Sequence, residues 1–290
     1  MTRPALPRIK LGISSRLFQG WPMEEVFQYT AALGYSGVEI VPHTLGKAVP
    51  EISSAERNRI RQTAAAEGSE VLGLHSLLVW PEGLYINHPE AEVRRRTQAY
   101  LVECINLCAD LGGRTLVHGS GSQRTVQAGW DTSLAWEHAR ETFAVCARAA
   151  EARNVTYCLE PLRRAETNFL NTMDEALQMV RAVGSPHLKM VVDTRHTLFN
   201  ETKGLPGVIA EVHRQGCLAH VHVNDLTGKG PGFGETQLTP ALRALCELGY
   251  AGYVSVEVFD YAPDPRTIAS RSIGYLHGIL EAITISAGNS

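Results

Sequence analysis

Acidic and imidazole side chains recur at the ends of short apolar segments of this sequence. Four of them follow consecutive segments in the second half of the chain: Glu160, Asp193, His222 and Glu257. Carboxylates crowded into a buried site repel one another and take up protons unless a cation neutralises them. Three carboxylates and one imidazole, with no thiolate, favour Mn²⁺, and after it Co²⁺ or Mg²⁺, over structural zinc. The residues therefore predict a four-ligand metal site; the alternative is a hydrogen-bonded network of the same groups without metal.

Similar residues occupy most of the other apolar segments. Glu39, His75 and His118 stand in three earlier segments, and His220 lies two residues before His222. Residues two apart on a strand point to the same face of the sheet, so His220 and His222 are expected to face the same way. A single histidine or glutamate at a strand end is usually a structural hydrogen-bonding group. Its recurrence in seven of eight segments indicates a shared polar site.

The segments that carry these residues read as short β-strands, each followed by a helix. They are nearly wholly apolar, which is typical of parallel strands buried on both faces. Helix signals stand between them: Ser53 with Glu56 forms a capping box, and Thr239 before Pro240 predicts an N-cap followed by a first-turn proline. The eight predicted strands span residues 9–14, 37–41, 71–77, 115–118, 156–160, 189–193, 218–223 and 253–258.

Repetition of one strand–helix unit predicts a closed α/β architecture. A chain of 290 residues would also fit about two average domains, but no proline- or serine-rich linker divides it. We therefore predict a single (β/α)8 TIM barrel over residues 1–290; the alternative is a doubly wound sheet with a helical annex. The carboxyl ends of barrel strands form the mouth of the site, so residues from four consecutive strands can converge on one ion.

Composition excludes several classes of function. The net charge is −3 and the sequence has no basic patch, so we expect no binding of nucleic acid. No apolar run approaches the roughly 18 residues of a membrane span, and the first residues lack the apolar core of a signal peptide, so we expect a cytoplasmic protein. The six cysteines form no Cys-x-x-Cys pair and are expected to be reduced packing residues. The outer helices could pair two barrels into a homo-oligomer, which the sequence alone does not define.

Four pieces of the sequence resemble the xylose isomerase-like, or sugar phosphate isomerase/epimerase, TIM barrels, a family that also includes endonuclease IV. These pieces are residues 160–172, 192–196, 220–225 and 256–260. The first is similar to the Glu-Pro-Leu segment of D-tagatose and D-psicose 3-epimerases. The resemblance implies that the four predicted ligands hold the metal. It also implies that Glu160 and Glu257 transfer protons, and that Glu166 and His196 contact the sugar.

Two departures from the family pattern concern the substrate. Arg163 stands where an asparagine usually follows Glu-Pro-Leu, and the loop 226–234 lacks the arginine that meets the substrate in the epimerases. Lys229 is the candidate to replace that arginine, although its flexible ammonium group lacks the planar set of N–H donors of a guanidinium. His75 is a further candidate for a sugar contact at the mouth. These changes leave the identity of the sugar open.

The resemblance implies a metal-dependent isomerase or epimerase of a free, uncharged sugar or polyol, with 3-epimerisation of a ketose as the leading reaction. One glutamate would remove the proton beside the carbonyl, and the other would return a proton to the opposite face. The same residues could instead serve an aldose–ketose isomerase of the hydroxypyruvate isomerase type or a dehydratase of the inosose dehydratase type.

Two further alternatives have less support. His75, His118, His196 and the four predicted ligands also resemble the ligands of the trinuclear zinc cluster of endonuclease IV. The loop 226–234, however, lacks the Asp-x-His pair that the third zinc needs. A non-catalytic barrel should have lost a ligand, and all four are present. The loop 119–124 could meet a phosphate through its backbone N–H groups, or it could form an ordinary tight turn.

Overall fold

A computed structural model describes residues 9–288 and contains eight strands. They are β1 Lys10–Ser14, β2 Gly37–Ile40, β3 Glu70–His75, β4 Thr115–His118, β5 Thr156–Leu159, β6 Leu188–Asp193, β7 Leu218–Val223 and β8 Tyr253–Val256. All neighbouring strands pair in parallel and in chain order, and β1 also pairs with β8, which closes the barrel. The predicted TIM barrel is therefore confirmed, and the doubly wound alternative is wrong.

Helices follow the strands and pack around the barrel. Within residues 9–288 the α-helices are α1 Met23–Leu33, α2 Ser54–Ala66, α3 Ala91–Asp110, α4 Thr132–Ala152, α5 Met173–Val183, α6 Thr194–Asn200, α7 Gly204–Arg214, α8 Thr239–Glu247 and α9 Pro265–Gly288. In that part of the chain, none of them has the length and apolar character needed to cross a membrane. All six cysteines are free thiols, and five of them are buried.

The helix signals in the sequence are largely confirmed. Ser53 caps α2: its Oγ accepts from the N–H of Glu56, whose carboxylate accepts in return from the Ser53 N–H at 3.0 Å. The N-cap predicted for α8 is wrong by one residue. The buried Leu238 is the cap, because its carbonyl oxygen already accepts a helical hydrogen bond from Leu242 at 3.0 Å, which makes Thr239 the first helical residue.

Two apolar clusters form the core. The larger one fills the space between the strands and the helices. The smaller one consists of strand residues on β4 to β7, namely Val117, Cys158 and Val191 with Ala219 packed against them. The other side of the barrel interior is polar and holds the buried side chains of Ser14, Glu39, His75 and His220. The barrel therefore has an interior of mixed polarity beneath its mouth.

His118 does not reach the mouth. Side chains alternate along a strand, and because Val117 faces the barrel interior, His118 faces the helices. Its Nδ1 lies 2.7 Å from the Tyr157 hydroxyl, and its ring packs edge-on against Phe143 of α4. Burial lowers the pKa of His118 to about 3, so the ring is neutral. The prediction that the fourth strand directs His118 into the mouth is wrong.

Gly73 allows the strands below the site to approach closely. It pairs with Glu39 on one side and with Thr115 on the other. A Cβ at this position would lie 2.0 Å from the Thr115 carbonyl oxygen and 2.7 Å from its Oγ1. A main-chain oxygen cannot turn aside as a flexible side chain can. Any side chain here would therefore push β3 and β4 apart.

We expect Gly73→Ala to lower the free energy of unfolding by about 1–3 kcal/mol, because the backbone must shift to admit the methyl group. Gly274→Ala is the matched control: Gly274 lies on α9, and a Cβ there would meet nothing within 4 Å. In a helix this exchange should be neutral or stabilising by up to about 1 kcal/mol. Urea denaturation measures both. A Gly73→Ala protein that unfolds at the wild-type urea concentration would contradict the close approach of β3 and β4.

Candidate active site

The four predicted metal ligands meet at the carboxyl ends of consecutive strands. Asp193 ends β6 and His222 lies on β7, while Glu160 and Glu257 directly follow β5 and β8. All four are buried, and each offers a ligand atom within 4.8 Å of the others'. The structure thus brings together the complete set, on the half of the barrel where the sequence places it.

The donor atoms converge on one ring nitrogen. His222 Nδ1 lies 3.3 Å from Glu160 Oε1 and 2.9 Å from Glu257 Oε2. The second contact lacks hydrogen-bond geometry, so Glu257 Oε2 is buried without a hydrogen-bond partner. An imidazole nitrogen beside a carboxylate oxygen that has no hydrogen-bond partner, with two further carboxylates within reach, suits a divalent cation. The residues present therefore fit a metal ion.

Burial and neighbouring charges act in opposite directions on the pKa values of the ligand residues. Burial alone would raise the pKa of Glu257, but the imidazoles of His222 and His75 hold it well below the usual range. Burial likewise opposes the charged form of His222, yet the carboxylates of Glu39 and Glu257 raise its pKa well above the usual value. Burial raises the pKa of Asp193, and His196 offsets this only in part. Without a metal, a proton on His222 supplies the positive charge that the carboxylates require.

Glu39 lies beneath the ligands and orients His222. Its Oε2 is 2.9 Å from His222 Nε2 and 3.3 Å from His220 Nε2, and all three side chains are fully buried. Glu39 therefore accepts the Nε2 proton, which leaves Nδ1 of His222 directed at the other ligands. The sequence singled out Glu39 as a strand-end acid but assigned it no role. Its position on β2, across the barrel from β7, becomes visible only when the barrel closes.

Neighbouring residues fix the carboxylates of Asp193 and Glu160. Asp193 Oδ1 accepts from the His196 N–H at 2.8 Å, and Oδ2 accepts from Asn224 Nδ2 at 2.7 Å. Glu160 needs the glycine at position 119, because a Cβ there would lie 1.9 Å from Glu160 Oε2. Sequence reasoning missed both supports. The one available signal was that Asn224 lies two residues after His222 and so on the same face of its strand.

His75 and Lys229 are placed differently from the other predicted sugar contacts. His75 is buried under Glu257, with Nδ1 3.2 Å from Glu257 Oε1 and Nε2 2.6 Å from Ser14 Oγ. Lys229 lies outside the cavity, with its ammonium 3.9 Å from Asp260 Oδ2. The structure thus joins His75 to the ligands, and it does not bring Lys229 to them.

A cavity of about 470 Å³ opens above the ligands. Glu160 and Glu257 reach its wall, as do Glu166 and His196, whose Oε2 and Nε2 are 3.9 Å apart. Glu166 accepts a hydrogen bond from Arg163 Nε at 2.8 Å. The predicted sugar contacts Glu166 and His196 therefore face the same space as the two predicted proton-transfer residues.

The endonuclease alternative fails on geometry. A trinuclear cluster would require His118 beside the other ligands, and His118 faces the helices instead. Within residues 9–288, the groups of side chains that could hold a metal include neither His75 nor His118. The four side chains can thus hold an ion, and two of them, Glu160 and Glu257, also face the cavity.

Comparison with known proteins agrees with this arrangement. The chain is 26% identical over 237 residues to D-psicose 3-epimerase of Ruminiclostridium cellulolyticum, covering 79% of this chain and 75% of that protein. It is 24% identical over 286 residues to fructoselysine 3-epimerase of Shigella flexneri, covering 94% and 98%. A solved structure of L-ribulose 3-epimerase superimposes with a TM-score of 0.82 at 22% identity, covering 97% of each chain.

A family model spans most of the chain. It is described as the xylose isomerase-like TIM barrel, and it matches residues 27–278. This range includes strands β2 to β8 and all four predicted ligands. The resemblance inferred from the sequence motifs is therefore confirmed. The chain belongs to the xylose isomerase-like TIM barrel family.

Proposed function

We propose that this protein is a metal-dependent ketose 3-epimerase that uses Mn²⁺. The relatives that it resembles over most of its length are epimerases of sugars, so the chain is an enzyme that acts on carbohydrates. The observation that carries the finer proposal is the pair Glu160 and Glu257. Both carboxylates belong to the ligand group, and both line the cavity in which a sugar would lie.

The geometry supports inversion of a carbon centre. A bound divalent ion would supply Lewis-acid stabilisation of the negative charge that develops on the sugar when the proton beside the carbonyl is removed. Glu160 follows β5 and Glu257 follows β8, three strands further around the barrel, so the carboxylates enter the cavity from different sides. One carboxylate removes the C3 proton, and the other returns a proton to the opposite face. Glu166 and His196 lie where they can orient the sugar hydroxyls.

Isomerisation or dehydration would use the same residues, so the position of proton exchange is the decisive observation. Incubation of the Mn²⁺-loaded protein with a panel of ketoses, aldoses and inososes in D₂O, followed by NMR, measures it. We expect deuterium at C3 of a ketose, and full loss of exchange after EDTA treatment with recovery on Mn²⁺ addition. Deuterium at C1 or C2, loss of a hydroxyl, or full activity in EDTA would each overturn the proposal.

Glu160→Gln and Glu257→Gln should each lower kcat by about 10²–10⁴-fold, because positioned proton transfer contributes that much to catalysis. Both residues are also proposed ligands, so the variants are compared at saturating Mn²⁺ after their metal content has been measured. Glu235→Gln is the control, since Glu235 is an exposed glutamate in the loop after β7. Near-wild-type turnover by either metal-loaded variant would rule out the two-carboxylate mechanism.

Glu39→Ala should weaken Mn²⁺ binding about 10–100-fold, because loss of a partner that orients a metal-bound histidine has this effect. Glu39→Gln is the matched variant: its amide oxygen can still accept from His222 Nε2, so we expect a smaller loss. Isothermal titration of folded, metal-free protein with Mn²⁺ compares them. Equal affinities of wild type and Glu39→Ala would show that Glu39 does not orient the ligand.

A further inference from the structure

Arg16 lies at the wall of the cavity above the predicted ligands. It lies in the short helical turn Ser15–Phe18 that follows β1, and it forms part of the cavity wall. Its nearest charged partner is Glu257, with Nη1 3.9 Å from Oε1, and its guanidinium carbon is 5.7 Å from the ring centre of Phe259. Within residues 9–288 the guanidinium makes no hydrogen bond. About a third of the side chain, 34%, is exposed.

The other charged groups around the cavity already have partners. Glu166 pairs with Arg163 and also faces Arg195, whose Nη1 is 3.7 Å from Oε1. Glu160 and Glu257 contact His222 and belong to the ligand group. Among the described residues that line this cavity, Arg16 is the only arginine or lysine. The wall therefore offers one cation whose donors are free.

We propose that the substrate of this site carries a carboxylate, which Arg16 binds as a planar fork. This inference rests on the proposed epimerase function. A substrate that fills the cavity displaces the water around Arg16. Because Glu257 lies 3.9 Å away and is itself a proposed metal ligand, a neutral sugar would leave the N–H donors of this guanidinium without a charged hydrogen-bond acceptor. A carboxylate matches two parallel N–H donors of the guanidinium in a charge-assisted pair. This differs from the uncharged sugar expected from the sequence.

The aromatic ring of Phe259 forms an apolar part of the cavity wall against which such a substrate would lie. Arg16 approaches this ring at 5.7 Å, and His196 approaches it at 5.8 Å between ring centres. Phe259 is thus a neighbour both of Arg16 and of His196, which in turn lies beside Glu166. A ketose placed along the ring would direct its hydroxyls to His196 and Glu166, and its carboxylate to Arg16.

The loop 119–124 adds no second cation to the cavity wall. A phosphate calls for several donors, but the basic residue of this loop, Arg124, is fully buried and donates to the Glu160 carbonyl oxygen at 2.7 Å. The hydroxyl of Ser120 accepts from the Leu78 N–H at 3.1 Å and so contributes no positive charge. Arg16 therefore stands without a second available cation, as suits a singly charged group.

The test compares three substrates that differ only at C6: a neutral ketohexose, its 6-carboxylate and its 6-phosphate. We expect wild-type kcat/KM to be at least about tenfold higher for the carboxylate than for the neutral sugar. Arg16→Gln should lower that preference about 10–100-fold, the fold-change of a lost charge-assisted hydrogen bond. The preference of Arg16→Lys for the carboxylate should lie between those of the wild type and Arg16→Gln, because lysine keeps the positive charge but loses the two parallel N–H donors. Arg164→Gln, at an exposed arginine after β5, is the control and should leave the preference unchanged.

A binding measurement separates this proposal from the proposed function. Titration of the Mn²⁺-loaded protein with D-gluconate and with D-sorbitol, neither of which is a ketose, measures recognition of the carboxylate without turnover. If gluconate binds in an Arg16-dependent way but no sugar is epimerised, the carboxylate site is supported and the proposed epimerase function is wrong. No preference for the carboxylate, or the same preference in Arg16→Gln, would overturn the role of Arg16. A stronger preference for the phosphate would overturn the choice of carboxylate.

Discussion

The burial of three carboxylates around one imidazole nitrogen is the constraint on which this molecule is built. Glu160, Asp193 and Glu257 cannot all remain charged out of water unless positive charge lies between them. A proton on His222 can supply one charge, and its raised pKa shows that the surroundings demand it. A divalent ion supplies two charges and satisfies more oxygens at once. The barrel, with four parallel strand ends pointing at one place, is the scaffold that makes this crowding geometrically possible.

The same constraint explains the polar half of the barrel interior. A strand barrel of this size is normally filled with apolar side chains, mostly branched ones, and β4 to β6 supply Val117, Cys158 and Val191. On the other side, Glu39 replaces such a residue so that it can hold His222. Its burial requires charged or hydrogen-bonding neighbours, which His220 and His222 supply. The stabilising apolar packing lies instead in the larger cluster between strands and helices.

The sequence predicts the architecture and the four ligands because both rest on local signals. Short apolar strands, helix caps and an acidic or imidazole side chain in seven of the eight strand segments need no knowledge of distant contacts. His118 was assigned to the wrong face because side-chain direction changes with every residue, and only the paired register decides which parity faces inward. The role of Glu39 could not be predicted, since it depends on a contact between β2 and β7 across the closed barrel. The place of Lys229 depends on the path of a loop, which strand periodicity does not constrain.

The division between strands and loops also separates chemistry from specificity. The predicted ligands are positioned by the strand register, whereas Arg16, Arg163 and Arg195 follow the ends of different strands. The last two stack on Phe199, and Arg16 and Arg195 both approach Phe259. Their side chains, unlike those of the predicted ligands, are not part of the four-residue group. Arg163 and Arg195 share the carboxylate of Glu166, whereas Arg16 makes no side-chain hydrogen bond within residues 9–288 and lies 3.9 Å from Glu257. The charge of the substrate is therefore decided at the rim, and the ligand group alone cannot define it.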